Sequence, residues 1–329
     1  MKPTIHPIKI DFNVTPAIRR YVYVYLIQGQ EACYLIDAGV AGAEEIIEGY
    51  LHTLGRDLSD LRAIFLTHAH PDHIGGAAGL RERTGCRIYA SPGERPWIED
   101  IHQQFAARPI PNFFTLLPRS VAVDQVLTDG DRITLEPGLT IQAVGTPGHS
   151  PDQLSYLLPE ADCLFTGDAI PVRGDIPIWV QRDDARRSLE TLRELPGVET
   201  FYPAWDVPYD RPQAMDKLAD ALSLMEELQS WVNRCKDQAA SPEELVQAVC
   251  TGMQTPHFLQ NPLFRRTVQS MLAPDCPCKH LDCDRHGNCD ACQAHHHAKD
   301  HLTSCEKLNR KEQREADRQG RRLKDARRT

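Results

Sequence analysis

"LTHAHPDHIGG", Leu66–Gly76, places His68, His70, Asp72 and His73 within six consecutive positions. The stretch follows "LRAIF", a short apolar run of the kind shown by a strand covered on both faces. It leads into a run that reads as a helix through Arg83. In α/β proteins, ligands and catalytic groups collect where a strand ends and a helix begins. Pro71 pre-sets a helix start, and Gly75 and Gly76 permit close packing. His68 and His70, two apart on an extended segment, can converge on one point. Asp72 and His73 enter the helix and face another way. Two ligand pairs aimed at two neighbouring points suit two metal ions.

Outward from this motif, strand-like and helix-like runs alternate over the first two hundred residues, an α/β pattern. "YVYVYLIQG" and "EACYLIDAG" read as strands paired across Gly29-Gln30. "AGAEEIIEGYLHTLG" carries Ile46, Ile47, Tyr50 and Leu51 at helical spacing and stops at a glycine. "CRIYA", "LTIQAV", "DQLSYLL", "DCLFTG" and "VETFYPAW" are further strands, and "RDDARRSLETLRELPG" is a surface helix. Residues 91–118, with Trp97, Phe105, Phe113 and Phe114 among prolines, break the rhythm. They read as a packed excursion or as a lid over a site. Two strand ends offer further ligands: His149 in "TPGHSPDQ" and Asp168 in "LFTGDAI". Imidazoles and carboxylates suit Zn²⁺, Fe or Mn²⁺ better than Ca²⁺.

The segments "LIDAG", "THAHPDHIGG", "TPGHSPDQ" and "LFTGDAI", in this order, resemble the metallo-β-lactamase superfamily, with glyoxalase II among its members. The resemblance covers residues from about 5 to 207. It implies an αββα sandwich of two mixed sheets with the metals at one edge. It also implies one metal on His68, His70 and His149 and a second on Asp72 and His73, with Asp168 bridging. Asp37 matches a position that supports the ligand loops. The sequence departs from the family where a last histidine usually follows the final strand. Here "FYPAWDVP" sets Trp205 in that place, with Asp206 beside it. Either Asp206 donates a carboxylate or Trp205 walls the pocket, and the number of metals is left at one or two.

After Tyr209 the strand signals cease. Met215, Leu218, Leu222, Met225, Leu228 and Val232 follow an i, i+3/i+4 pattern, a long amphipathic helix. "SPEELVQAV" starts a second with Ser241 as N-cap, Pro242 first in the helix and Glu244 closing a capping box. "NPLFRRTVQSML" starts a third. Packing or dimerisation suits this net-acidic segment better than nucleic-acid binding.

Beyond it, Cys276, Cys278, Cys283, Cys289, Cys292 and Cys305 crowd into thirty residues. Such a cluster in a chain without a secretion signal reads as metal binding. The C-x-x-C of Cys289 and Cys292 opens a short helix that also presents His296, within the run His295–His297. Structural Zn²⁺ is the first reading, an iron–sulfur cluster its competitor and a redox thiol array the third. The other cysteines, Cys33, Cys86, Cys163, Cys235 and Cys250, stand singly in apolar settings and read as reduced thiols.

This divides the chain into a catalytic domain at 1–207, a small all-α region at 208–273, a Cys/His-rich module at 274–306 and a basic tail at 307–329. The tail holds ten Lys/Arg against four Asp/Glu, which leaves the rest near −15 of the overall −9. That balance argues against nucleic-acid partners except through the tail. No apolar run reaches the length of a membrane span, and "MKPTIHPIKIDF" lacks the apolar core of a signal peptide, so a cytoplasmic protein is expected. The expected function is a metal-dependent hydrolase in which a metal-activated water attacks an ester, thioester, lactone or related bond of a small molecule. Asp72 is the proton acceptor and donor. The alternatives are a mononuclear iron persulfide dioxygenase and a non-enzymatic sensor built on the zinc module.

Overall fold

The computed structural model describes residues 2–260, 262–272, 289–299 and 301–307. Alternation between apolar and polar residues builds β1 (Thr4–Thr15) and β2 (Ile18–Gln28) into a long antiparallel hairpin. Strand β3 (Cys33–Ile36), buried at every position, returns antiparallel to β2. Helix α1 (Ala43–Thr53) buries Ala43, Ile47 and Leu51, while Ile46 is 44% exposed instead of joining the buried face. Strand β4 (Leu61–Phe65) pairs parallel to β3 and ends at the histidine motif. Its Pro71 opens the one-turn α2 (Pro71–Ile74), followed by α3 (Ala77–Thr84) and β5 (Arg87–Ala90), parallel to β4.

Residues 91–118 are a packed excursion containing α4 (Arg95–Glu99), α5 (Ile101–Ala107) and α6 (Phe113–Leu116). Ile98, Ile101, Phe113 and Leu116 are buried in one cluster with α1, α3 and the outer face of the first sheet. Strand β6 (Gln125–Val126) completes that sheet, in the order β1-β2-β3-β4-β5-β6.

The second sheet is formed by β7 (Arg132–Glu136), β8 (Leu139–Gly145), β9 (Leu154–Leu158), β10 (Cys163–Gly167), β11 (Thr200–Pro203) and β12 (Tyr209–Asp210). Its order is β12-β11-β10-β9-β8-β7, antiparallel except for the β10–β11 pair. Helix α7 (Arg182–Glu194) bridges β10 and β11 on its outer face. The sheets face each other across Tyr25, Ile36, Phe65 and Tyr89 on one side and Ile141, Leu154, Tyr156 and Phe165 on the other. Helices flank both outer faces, which makes the expected αββα sandwich.

Helices α8 (Arg211–Cys235), α9 (Pro242–Gly252) and α10 (Leu263–Leu272) pack against the outer face of the second sheet. Leu218, Met225, Leu228 and Val232 of α8 share a cluster with Leu189 of α7 and Phe201 of β11. The capping box expected at α9 is only half formed. The Ser241 hydroxyl accepts from the Glu244 N–H at 3.2 Å, but the Glu244 carboxylate accepts from the N–H of Ala240 at 2.8 Å, not from that of Ser241. A short helix, α11 (Cys289–His297), begins at the C-x-x-C. Cys276, Cys278 and Cys283, and the tail beyond Lys307, lie outside the described residues. No described helix is long and apolar enough to cross a membrane.

Candidate metal centre

The predicted ligands meet at one end of the sandwich, on loops leaving the C-terminal ends of strands or, for Asp72 and His73, on the one-turn helix α2. His68, His70, Asp72 and His73 follow β4, His149 follows β8 and Asp168 follows β10. The loop after β4 packs tightly because a Cβ on Gly75 would collide with the Leu116 carbonyl oxygen, and one on Gly76 with that of Ala38. Gly148, at φ 125°, lets the His149 turn press on α7, where an added Cβ would collide with the Ala185 nitrogen. The sheets are tied together here: the N–H of Leu154 donates to the Thr67 carbonyl at 2.9 Å, and the Tyr156 hydroxyl donates to that of Leu66 at 2.8 Å.

His68, His70, His149 and Asp168 bring one donor atom each within 4.8 Å of one another, the one such group among the described residues. His149 Nε2 lies 3.0 Å from His70 Nδ1 and 3.2 Å from Asp168 Oδ2, and His68 Nε2 lies 3.9 Å from the same oxygen. His73 Nε2 faces the other carboxylate oxygen, Oδ1, at 3.2 Å, and Asp72 Oδ2 at 3.6 Å. His68 and His149 thus face one oxygen of Asp168 and His73 the other.

Second partners orient three of the four rings, so that in the neutral form the nitrogen facing the centre carries the lone pair. His73 Nδ1–H donates to Asp37 Oδ2 at 2.8 Å. His68 Nδ1–H donates to the Thr67 hydroxyl at 2.9 Å, which in turn donates to Asp37 Oδ2 at 2.9 Å. His149 Nδ1–H donates to the Ile178 carbonyl at 3.1 Å. Asp37 thus supports both ligand pairs, directly and through Thr67.

This arrangement leaves His68 Nε2, His73 Nε2 and Asp168 Oδ1 buried without a hydrogen-bond partner. Buried polar atoms are otherwise satisfied almost everywhere in proteins. Two imidazoles and a carboxylate with unpartnered atoms, beside a His70–His149 pair whose ring nitrogens lie 3.0 Å apart, fit a divalent transition metal. The electrostatics agree. Burial drives the His68 imidazole well below its usual range and holds His149 down at about 4, with the charges of His73 and Arg108 adding to the effect. Both rings are therefore neutral, as ligands must be. Burial opposes protonation of His73 as well, but Asp168, Asp72 and Asp37 outweigh it and raise that ring. Desolvation, reinforced by Asp168, pushes the Asp72 carboxyl up to about 6, although 16% of its side chain reaches the cavity.

Trp205 stands beside the centre and walls the pocket. Its indole N–H donates to Asp168 Oδ2 at 2.9 Å, and its ring lines the cavity above the histidines. An indole has a donor and no acceptor, so it cannot ligate. Asp206 offers the centre nothing: its carboxylate accepts from the Tyr209 hydroxyl at 2.5 Å, Lys217 Nζ at 3.0 Å and the N–H of Val207 at 2.8 Å.

The cavity measures about 780 Å³ and opens onto His70, Asp72, His149 and Asp168. Phe12 and Ile18 of the first hairpin, Ile110, Ile178 and Leu263 supply apolar walls, and Arg108 supplies positive charge. Residues 91–118 therefore contribute to the site from its wall. Sequence reading missed Glu94 and Gln104 of this stretch, which are buried against the ligand loop. Both are polar residues in a proline-broken run with no periodic signal.

The Metallo-beta-lactamase superfamily model matches residues 17–205, which contain every residue of this centre. The chain belongs to the metallo-β-lactamase superfamily. A probable metallo-hydrolase, YqgX of Bacillus subtilis (strain 168), is 30% identical over 146 residues, 44% of this chain and 64% of that protein. A hydroxyacylglutathione hydrolase of Hyphomonas neptunium is 24% identical over 182 residues, 54% of this chain and 62% of that enzyme. The chain thus spans less than two thirds of either relative. A crystal structure of a metallo-beta-lactamase family protein from Thermus thermophilus superposes with a TM-score of 0.63 over 82% of this chain and 91% of that one, at 20% identity. That likeness bears on the fold.

Proposed function

We propose that this metallo-β-lactamase superfamily member is a metal-dependent hydrolase of ester, thioester or lactone bonds in small molecules. The observation that carries the reading is the set of four donors, from His68, His70, His149 and Asp168, within 4.8 Å at the floor of the cavity. Zn²⁺ is the ion best matched to three imidazoles and a carboxylate, with Fe or Mn²⁺ also compatible. An ion held there would polarise a carbonyl and lower the pKa of water from 15.7 to about 7. The apolar walls would bind an acyl arm, and Arg108 would favour an anionic group near the reacting carbonyl. Asp72, the more exposed of the two carboxylates at the centre, would take the released proton and return it to the leaving group. The Trp205 N–H fixes the rotation of Asp168 through Oδ2. The hydroxyacylglutathione hydrolase relative supports the thioester class within this reading.

The test is hydrolysis of a thioester, ester and lactone panel by purified protein, before and after chelation and with each metal restored. His149→Ala serves as the blank. Activity that is lost with chelator, regained with Zn²⁺ and absent from the variant supports the reading. Oxygen consumption with a persulfide by iron-loaded protein, without hydrolysis, would overturn it in favour of a dioxygenase. For the segment around α11 we propose a structural Zn²⁺ on a subset of its six cysteines, with release of zinc by a mercurial as the check.

A further inference from the structure

Glu94 is a carboxylate 1% exposed that has no part in the chemistry above. It lies at the N-terminus of α4, in the excursion between β5 and β6. Its Oε2 accepts from the N–H of Ala69 at 3.0 Å, and its Oε1 accepts from the Ser150 hydroxyl and from the N–H of Asp152 at 3.2 Å. Ala69 separates His68 from His70, and Ser150 directly follows His149. One side chain therefore holds the two ligand loops together, although they arise from opposite sheets.

The same excursion grips Ala69 from its other side, where the Gln104 amide donates to the Ala69 carbonyl. Gly93, next to Glu94, donates its N–H to Asp152 Oδ2 at 2.5 Å, in a contact too close for any Cβ. Among the described residues Glu94 has no ion-pair partner. A carboxylate so buried is costly unless hydrogen bonds compensate it. Packing alone would be met more cheaply by an apolar side chain. The three donors that compensate Glu94 all belong to the loops carrying His68, His70 and His149. Burial raises its carboxyl above the usual range while these bonds pull it down.

We propose that Glu94 is a positioning residue for the metal centre, setting the separation between the His68/His70 loop and the His149 loop and through it the affinity for the ion. The proposal rests on the reading that these residues hold a metal. Glu94→Gln keeps the shape but turns one acceptor into an N–H facing a loop donor. Loss of an outer partner of this kind weakens metal binding by about 10–100-fold.

The experiment is competitive titration of the full chain with Zn²⁺ against a chromophoric chelator. Wild type, Glu94→Gln, Ser150→Ala and His149→Ala are compared, with cooperative thermal unfolding followed in parallel. His149→Ala defines the binding that belongs to other sites. The expected result is a His149-dependent affinity about 10–100-fold weaker in Glu94→Gln and weakened to a lesser degree in Ser150→Ala, which removes a single arm. Unchanged affinity in a destabilised Glu94→Gln protein would assign Glu94 a structural role only and overturn the proposal. If Glu94→Gln does not fold, Ser150→Ala decides, and wild-type affinity there also overturns it. Identical binding by wild type and His149→Ala would instead refute the metal-centre reading itself.

Discussion

Asp37→Asn separates the scaffold from the metal centre. Asp37 sits at φ 59°, a left-handed conformation that asparagine also adopts, so the backbone can stay in place. Its Oδ1 accepts from the N–H of Thr67 at 2.7 Å, a bond that the asparagine oxygen keeps. The other oxygen becomes an amide donor facing the Thr67 hydroxyl at 2.9 Å and His73 Nδ1 at 2.8 Å. The hydroxyl can turn and accept, which leaves its own hydrogen without a partner. His73 can accept only by moving its proton to Nε2, the atom that faces Asp168 at 3.2 Å. One mismatched buried donor costs about 1–3 kcal/mol, so stability should fall by that amount. Metal affinity should fall by about 10–100-fold, because Asp37 sets the tautomers of His68 and His73 together. Asp37→Ala removes every acceptor and puts alanine at positive φ, for a combined loss of about 4 kcal/mol or more. Urea unfolding read by tryptophan fluorescence gives the stabilities, and chelator competition gives the affinities. Wild-type metal affinity in Asp37→Asn would refute the tautomer argument. Equal destabilisation by both variants would refute the assignment of the surviving bond.

Three further outcomes follow from the geometry. Trp205→His replaces a donor-only ring beside Asp72, His73 and Asp168 with one that can ligate, so the full chain should carry one more metal ion than wild type by mass spectrometry; equal metal content refutes this. Burial raises the Asp206 carboxyl, but the bonds from Tyr209, Lys217 and Val207 outweigh it and leave it below its usual range. Its stabilisation is therefore present above the unfolded value of about 3.9 and is lost as pH falls through the folded one. The stability gap between wild type and Asp206→Asn should hold from neutral pH downward and close under about pH 4, and a gap unchanged at pH 3 would refute the sign. Burial pushes the Cys163 thiol up to about 12 and those of Cys33 and Cys250 to about 11, and Cys86 is raised as well. These four should stay unmodified by DTNB in native buffer and react on unfolding, as mapped by peptide mass spectrometry; rapid native modification would refute their burial.

Residues close in sequence carried most of what could be read in advance. The metal motif was legible because four candidate ligands sit within one strand-to-helix turn, where a small shift in spacing would change which side chains converge. The helices of the all-α region were legible from their period, and the thiols from their apolar neighbours. Other features depend on partners far along the chain. Ile46 has the spacing of a core residue but lies at the edge of the α1 stripe, where no neighbour covers it. Glu244 prefers the N–H of Ala240 to that of Ser241, a choice between adjacent donors that the motif leaves open.

The sequence by itself offered the candidate donors through residue chemistry and spacing, and its resemblance to the metallo-β-lactamase superfamily implied the αββα class and marked Trp205 as a departure. Only the tertiary structure decided that Asp206 turns toward Tyr209 and Lys217 and that the Trp205 indole bonds to Asp168. It alone showed Glu94 joining loops 25 and 56 residues away. Nothing local marks such a residue. A carboxylate in a proline-broken run looks like solvent-facing turn chemistry until the packing of two sheets takes away its water and leaves the ligand loops as its donors.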